Sequence, residues 1–147
     1  MNQQENIDSL NKLLTRNYDA EKGYQQIAEK TDRNDLKEFF RQSYKERYQF
    51  GHEIKEILQE YGAKPDKGSS ALGDAHRAWI DLKDWLTGED YEAIVNEAIR
   101  GEKSAIKDYE EIIDNSSLQV EHKRTLSDQL GAIKTAEAEL ESMSKVL

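Results

Sequence analysis

Helix breakers are scarce, and that scarcity constrains this chain more than any other feature. Its one proline, Pro65, lies in the only Gly/Pro/Ser-rich stretch, YGAKPDKGSSALG at residues 61–73. The other breaks are short and polar: KTDRND at 30–35, TGED at 87–90 and DNSS at 114–117. Gly62 followed by Pro65 reads as a helix stop. Thr87, three residues before Asp90, has the spacing of a capping box with Asp in place of Glu, so a helix is expected to begin there.

Between the breaks the apolar residues recur with the period of a helix. One stripe runs through Ile7, Leu10, Leu14, Tyr18, Tyr24 and Ala28, the next through Leu36, Phe39, Ser43, Phe50, Ile54, Ile57 and Tyr61. A shorter segment carries Leu72, His76, Trp79, Leu82 and Leu86. The last two stripes hold Tyr91, Ile94, Ala98, Ala105, Tyr109 and Ile112, then Leu126, Leu130, Ile133, Leu140 and Met143. Period-two alternation and β-branched strings are absent, which argues against strands. The pattern predicts four helices of roughly 24–30 residues, each about 36–45 Å long. Tight turns pair them into two antiparallel hairpins. A linker of roughly 25 residues with a short helix joins the hairpins, long enough to run the length of a bundle. The expected fold is all-α, a four-helix bundle with one long crossover, as in ferritin-like folds. An up-down-up-down bundle needs only short loops, and a coiled-coil dimer would not fold back at each break.

At 147 residues the whole chain, 1–147, is expected to form one domain. With no cysteine there is no disulfide framework, zinc-thiolate site or thiol nucleophile. The longest hydrophobic run is three residues, as at 78–80 and 93–95, so no membrane-spanning segment is expected. The N-terminus is polar and lacks the pattern of a secretory signal, so a cytoplasmic location is the default expectation. The net charge of −9 argues against nucleic acid or an anionic membrane as partner.

Function turns on which polar residues share the apolar stripes. Glu21 is in phase with Leu10, Leu14 and Tyr24, and Glu46 with Phe39, Ser43 and Phe50. Glu102 follows Ile94 and Ala98, and Glu137 follows Leu130 and Ile133. Each long helix thus offers one inward carboxylate, and an ionised carboxylate in a core needs a cation, a donor or a proton. Facing carboxylates are what a di-iron or di-manganese bundle uses, so iron or manganese are the candidate cofactors and Glu21, Glu46, Glu102 and Glu137 the candidate metal ligands. The bland alternative is a Glu at the edge of each stripe with its head in water. Counting from the turns puts Glu21 and Glu46 within roughly one helical turn of each other in depth. The same count puts Glu137 on the order of 10 Å from the level of Glu102, with Gln129 nearer.

Histidine ligation is poorly provided for. The di-metal pattern has two Glu-x-x-His motifs, but Gln49 follows Glu46 at that spacing and Leu140 follows Glu137. His52 is expected to face outward, His76 to pack beside Trp79, and His122 to lie far from Glu102. No catalytic triad, phosphate loop or zinc motif is present. Gly23, Gly51, Gly101 and Gly131 lie one in each long helix, where glycine often marks close approach. Tyr24 and Tyr109 are core residues that can also hydrogen-bond an inward carboxylate. Ala20-Glu21-Lys22 resembles Gly101-Glu102-Lys103, a hint of duplication.

The combination of Glu21-Lys22-Gly23-Tyr24, the run from His76 to Lys83 (HRAWIDLK) with Leu86-Thr87-Gly88, and Arg100-Gly101-Glu102 resembles a bacterial family. Its members are small ferritin-like four-helix bundles of unassigned function. The resemblance spans essentially the whole chain, and the crossover run is its most specific part. It implies a ferritin-like fold, bacterial origin, no established catalytic activity and a loose association with stress responses. Similar sequences are expected to carry histidine where this chain has Glu137, a departure that weakens any carried-over metal site. Two functions follow as expectations. The favoured one is a non-enzymatic bundle with a degenerate metal site, acting through a protein partner or as a homo-oligomer such as a dimer. The other is a carboxylate-bridged di-iron or manganese protein with oxidase-type activity. An iron-storage shell would need many subunits.

Overall fold

The computed structural model describes residues 2–64, 79 and 81–147. Pro65, Leu72 and His76, together with Arg77, Ala78 and Ile80 of the crossover run, lie outside the described residues.

Two helices come first, α1 over Gln3–Lys30 and α2 over Asn34–Glu60. After the crossover come α3 over Leu82–Thr87, α4 over Tyr91–Asn115 and α5 over Val120–Ser144. The described residues contain no strand. Local chemistry sets the ends. The Asn2 side chain accepts from Glu5 N–H at the start of α1, and Lys30 complements the dipole at its end. Helix α2 closes on Gly62 at φ +74°, with Ala63 N–H donating to Leu58 O and Gly62 N–H to Gln59 O. That is a Schellman motif, and it fixes Tyr61 at the corner.

The start of α4 differs from the capping-box expectation. Thr87 is the last residue of α3, and the chain turns through Gly88 and Glu89, the latter at φ 55°. Asp90 is the cap, its carboxylate accepting from Ala93 N–H at 3.1 Å. The Thr87–Asp90 spacing thus reflects a stop followed by a start.

Contacts between the ends fix the topology. The C-terminal corner of α2 meets the start of α1, where Gln3 Nε2 donates to Tyr61 O, and the start of α5, where His122 meets Glu60. The start of α4 sits at the opposite end, with Tyr91 beside Asp32 and Arg33 of the α1–α2 turn. The end of α2 and the start of α4 therefore lie at opposite ends of the bundle, as a long crossover requires, and α2 and α4 run parallel across its diagonal. Between α1 and α4, Asp108 accepts from Arg16 Nε at 2.6 Å and lies 3.5 Å from Lys12 Nζ, while Arg16 Nη2 donates to Ser104 Oγ.

The apolar core has two halves. One, around Leu10, Leu14, Ile54, Ile57, Ile112 and Leu126, fills the Tyr61 end. The other, around Tyr24, Ile27, Leu36, Phe40, Ile94 and Leu140, fills the end at the α1–α2 turn. Between them lies a layer of buried polar side chains, Asn17, Ser43, Arg47, Glu102 and Gln129. Of the helix glycines, Gly23 alone marks tight approach: a Cβ there would fall 2.5 Å from the Trp79 ring. Gly51 makes ordinary contact with Leu14 and Tyr18, and Gly101 and Gly131 face open space.

Candidate functional site

The buried positions of α2 include Phe40, Ser43, Arg47, Phe50 and Ile54, spaced three and four apart. Arg47, not its neighbour Glu46, therefore points inward. Arg47 is 3% exposed and Glu102 2%, and the guanidinium Nη2 ion-pairs with Glu102 Oε1. The Tyr24 phenol feels the charge of the same carboxylate, and the guanidinium carbon lies 5.9 Å from the Tyr24 ring centroid. Burial opposes the charge on Arg47, but the fields of Glu102, Tyr24 and Tyr109 outweigh it and raise its pKa. Burial, reinforced by Glu102, raises the Tyr24 phenol well above its usual value. The central cation of this layer is covalent and permanent.

Amide and phenol groups complete the layer. Asn17 Nδ2 donates to the Tyr109 hydroxyl at 2.8 Å, and that hydroxyl donates to Gln129 Oε1 at 2.7 Å. Gln129 Nε2 donates in turn to Glu53 Oε1 at 2.8 Å and Phe50 O at 3.3 Å. Burial pushes Tyr109 up to about 12. Buried polar groups tied in this way fix a unique arrangement of the helices around them.

The four glutamates singled out by sequence face different surroundings. Glu21 lines a recess between α1 and α2 with Tyr18, Lys22, Tyr48, His52 and Lys55. Burial raises its pKa, against the pull of Lys22 and Lys55. Glu46 opens into a groove between α2 and α5. Burial raises it too, with Glu102 and Glu139 adding and Arg47 opposing. Glu137 lies between α4 and α5, 3.9 Å from Lys103 Nζ. It is raised by burial and by the charges of Glu141 and Glu102, with Lys103 opposing. Glu102 alone of the four is fully inside. The depth count is corrected here: Glu137 pairs with the neighbour of Glu102, whereas Gln129 meets Tyr109, about two turns along α4. Non-helical residues 116–119 shift the register relative to a turn centred on DNSS.

Sequence reasoning passed over Arg47 and Asn17 as members of the inward layer, whereas Gln129 stands out by its depth. The signal for Arg47 was its place four residues after Ser43 and three before Phe50.

A second cluster sits at the Tyr61 end. His122 is 5% exposed. Its Nε2 lies 3.1 Å from Glu60 Oε2 and 3.9 Å from Glu121 Oε1, and its Nδ1 is 3.1 Å from the Tyr61 hydroxyl. Donor atoms of Glu60, Glu121 and His122 lie within 4.8 Å of one another, and no other trio of His, Asp or Glu among the described residues does so. The cluster opens on a recess of about 260 Å³ also lined by Glu53, Glu56, Ile57 and Thr125.

A larger concavity, about 620 Å³, is the groove between α2 and α5. Phe39, Ala132, Ala136 and Met143 provide its apolar surface, and Asp35, Glu38, Glu46 and Glu139 its charged groups, all acidic. No helix among the described residues is long and apolar enough to cross a membrane.

None of the curated proteins matches the chain. Among solved structures it is similar to a dodecameric thioferritin, the bacterioferritin-related protein of Bacteroides fragilis. The identity is 17%, the TM-score 0.78, and the match covers 97% of this chain and 85% of that one. At this identity the likeness concerns the fold, which is that of a ferritin-like four-helix bundle. The family model described as Domain of unknown function (DUF2383) matches residues 5–115, from α1 to the end of α4. The chain belongs to that family.

Proposed function

We propose that this protein is a non-enzymatic ferritin-like bundle whose central cation is its own Arg47, and that it acts through contact with another protein. The Arg47–Glu102 ion pair carries this reading. A di-metal bundle needs free carboxylates from facing helices and histidines one turn beyond two of them. Here Glu102 is committed to Arg47, and the rest of the layer is amide, hydroxyl and phenol. His52 is exposed and paired with Glu56, and His122 is at the end of the bundle. Glu21, Glu46 and Glu137 open on three separate surfaces, and none of the four glutamates joins a close donor trio among the described residues. The residues present do not fit a di-metal centre.

Function then falls to the surface. The α2–α5 groove offers an apolar floor with an acidic rim, which suits a basic, amphipathic helix laid in by a partner. The charge of −9 disfavours a second copy of this chain as that occupant.

The oxidase-type reading remains the alternative to be tested against. Protein purified from iron-replete cells is expected to lack the optical band of an oxo-bridged iron pair, and its metal content is expected to be the same after Glu46→Gln and Glu137→Gln. Two irons per chain, lost in those variants, would sink the proposal. The thioferritin described as a dodecamer makes assembly a companion question; light scattering distinguishes a monomer or dimer from a larger shell.

A further inference from the structure

We infer that Glu60, Glu121 and His122 form a mononuclear site for a divalent transition-metal ion, at the end of the bundle and away from the central layer. Three observations carry it. First, the donor set is mixed: a buried imidazole nitrogen with two carboxylates reaching over it, 3.1 and 3.9 Å away. Two donors held tetrahedrally at about 2.0–2.1 Å from one ion stand about 3.4 Å apart. The observed spacing brackets that value, and Glu60 and Glu121, 60% and 69% exposed, are free to close the difference.

Second, the imidazole is already oriented. The Tyr61 hydroxyl sits 3.1 Å from Nδ1 and also accepts Gln119 N–H at 3.0 Å, while the rings of Tyr61 and His122 pack edge to face. With a metal on Nε2, the ring proton moves to Nδ1 and is donated to the tyrosine oxygen. Support of this kind behind a ligating histidine fixes its tautomer and raises its basicity. Tyr61 is itself held by the Schellman corner at Gly62, so the backbone sets the orientation.

Third, the ligands line a recess of about 260 Å³ that also holds Glu53 and Glu56 and has no lysine or arginine in its wall. Four carboxylates around one opening give a negative potential that concentrates cations and leaves room for metal-bound water. Imidazole with carboxylate suits zinc, manganese or ferrous iron better than calcium or magnesium, which take oxygen donors alone.

Zinc titrated into the full chain is the test, by calorimetry together with imidazole nitrogen resonances. The expected result is one zinc per chain, with the His122 signals shifting at one equivalent. Glu60→Gln and Glu121→Gln, both at exposed positions, are expected to weaken binding at least tenfold. Tyr61→Phe is expected to cost about 10–100-fold. Controls His52→Gln, which removes an exposed surface pair, and Glu46→Gln with Glu137→Gln are expected to bind as the parent does. Absence of zinc binding, His122 signals unmoved at one equivalent, or unchanged affinity in the Glu60 and Glu121 variants would each overturn the assignment. Because the Glu46 and Glu137 variants test the candidate di-metal ligands and not the His122 cluster, a failure here is separable from a failure of the proposal about Arg47.

Discussion

Arg47 of α2 and Glu102 of α4 form an ion pair across the diagonal of the bundle, where each is almost fully removed from water. Desolvating both charges costs several kcal/mol, and only good geometry with further hydrogen bonds offsets it. The pair lies in the polar layer between the two apolar halves of the core and ties α2 to α4. Replacing one partner strands the other charge. Arg47→Met or Glu102→Leu is expected to destabilise by about 3–5 kcal/mol, and the double variant Arg47→Met/Glu102→Leu by much less. Denaturant unfolding arranged as a double-mutant cycle measures the coupling. Additive losses would show that the two residues act independently.

Gly23 and Gly131 make a matched comparison inside helices. At Gly23 a methyl group meets the Trp79 ring at 2.5 Å, whereas at Gly131 it meets nothing within 4 Å. Alanine improves helix propensity by about 1 kcal/mol at either site. Overpacking costs about 1–3 kcal/mol, so Gly23→Ala is expected to destabilise on balance and Gly131→Ala to stabilise. Thermal unfolding of both variants checks the opposite signs.

The chain holds seven tyrosines, and the fold separates two of them from the rest. Burial raises Tyr24 well above 10 and Tyr109 to about 12. A raised folded-state value means the fold holds the proton more tightly than the unfolded chain. The stabilisation is complete below pH 10 and disappears as pH climbs through the folded value. Phenolate absorbance in an alkaline titration is therefore expected to leave Tyr24 and Tyr109 silent until the protein unfolds, their signal appearing together with loss of helicity. Tyr109→Phe should also cost about 1–3 kcal/mol, because Gln129 loses a buried donor. A full phenolate signal from a protein still folded at pH 11 would contradict this.

The fold was readable because helix breakers are rare and localised. Stripes such as Leu10–Leu14–Tyr24 and Ile94–Ala98–Ala105 predict the buried faces, and the separation of Tyr61 from Tyr91 shows why the linker must be long. The centre was less legible, for a geometric reason. Glu46 and Arg47 are adjacent, their directions differ by about 100° on a helix, and both can be fitted to a stripe that includes Ser43. Carboxylates drew attention because an unpaired one in a core needs a cation. That requirement was correct for Glu102, and the cation is a side chain on another helix. Composition treats arginine as exterior, so its inward place is visible only once Phe40, rather than Phe39, is recognised as buried. The cluster at His122 eluded the sequence because Glu60 and Tyr61 join it from a neighbouring helix, 62 and 61 residues earlier in the chain.

Glu46 lets the electrostatics be read through pH. Its carboxyl is raised above 4.5 by burial, with Glu102 and Glu139 adding to the effect. The stabilisation from such a group is present below its unfolded value and is lost as pH rises through the folded one. At neutral pH the ionised Glu46 is therefore a liability. Glu46→Gln is expected to raise stability at neutral pH by less than about 1 kcal/mol, the scale of a partly exposed charge. The gain should vanish on the acid side of 4.5, where glutamate is already neutral. Urea midpoints for parent and variant across that range provide the measurement, and a gain independent of pH would point to packing instead.

The groove between α2 and α5 is the remaining test of a protein-contact role. Phe39 and Met143 give it an apolar floor, and Asp35, Glu38, Glu46 and Glu139 give it charge of one sign. An amphipathic helix that carries lysine or arginine beside its apolar stripe matches both features. A labelled helical peptide of leucine and lysine is therefore expected to bind, and its counterpart with glutamate for lysine is not. Binding should weaken as salt is raised, since exposed charges are screened over about 8 Å at physiological ionic strength. The double variant Glu38→Lys/Glu139→Lys is expected to reduce affinity for the basic peptide by at least tenfold while leaving the fold intact, because both positions are exposed. Fluorescence anisotropy measures all three effects. Equal binding of the acidic peptide, or affinity unmoved by charge reversal, would show that the groove does not select its partner by charge.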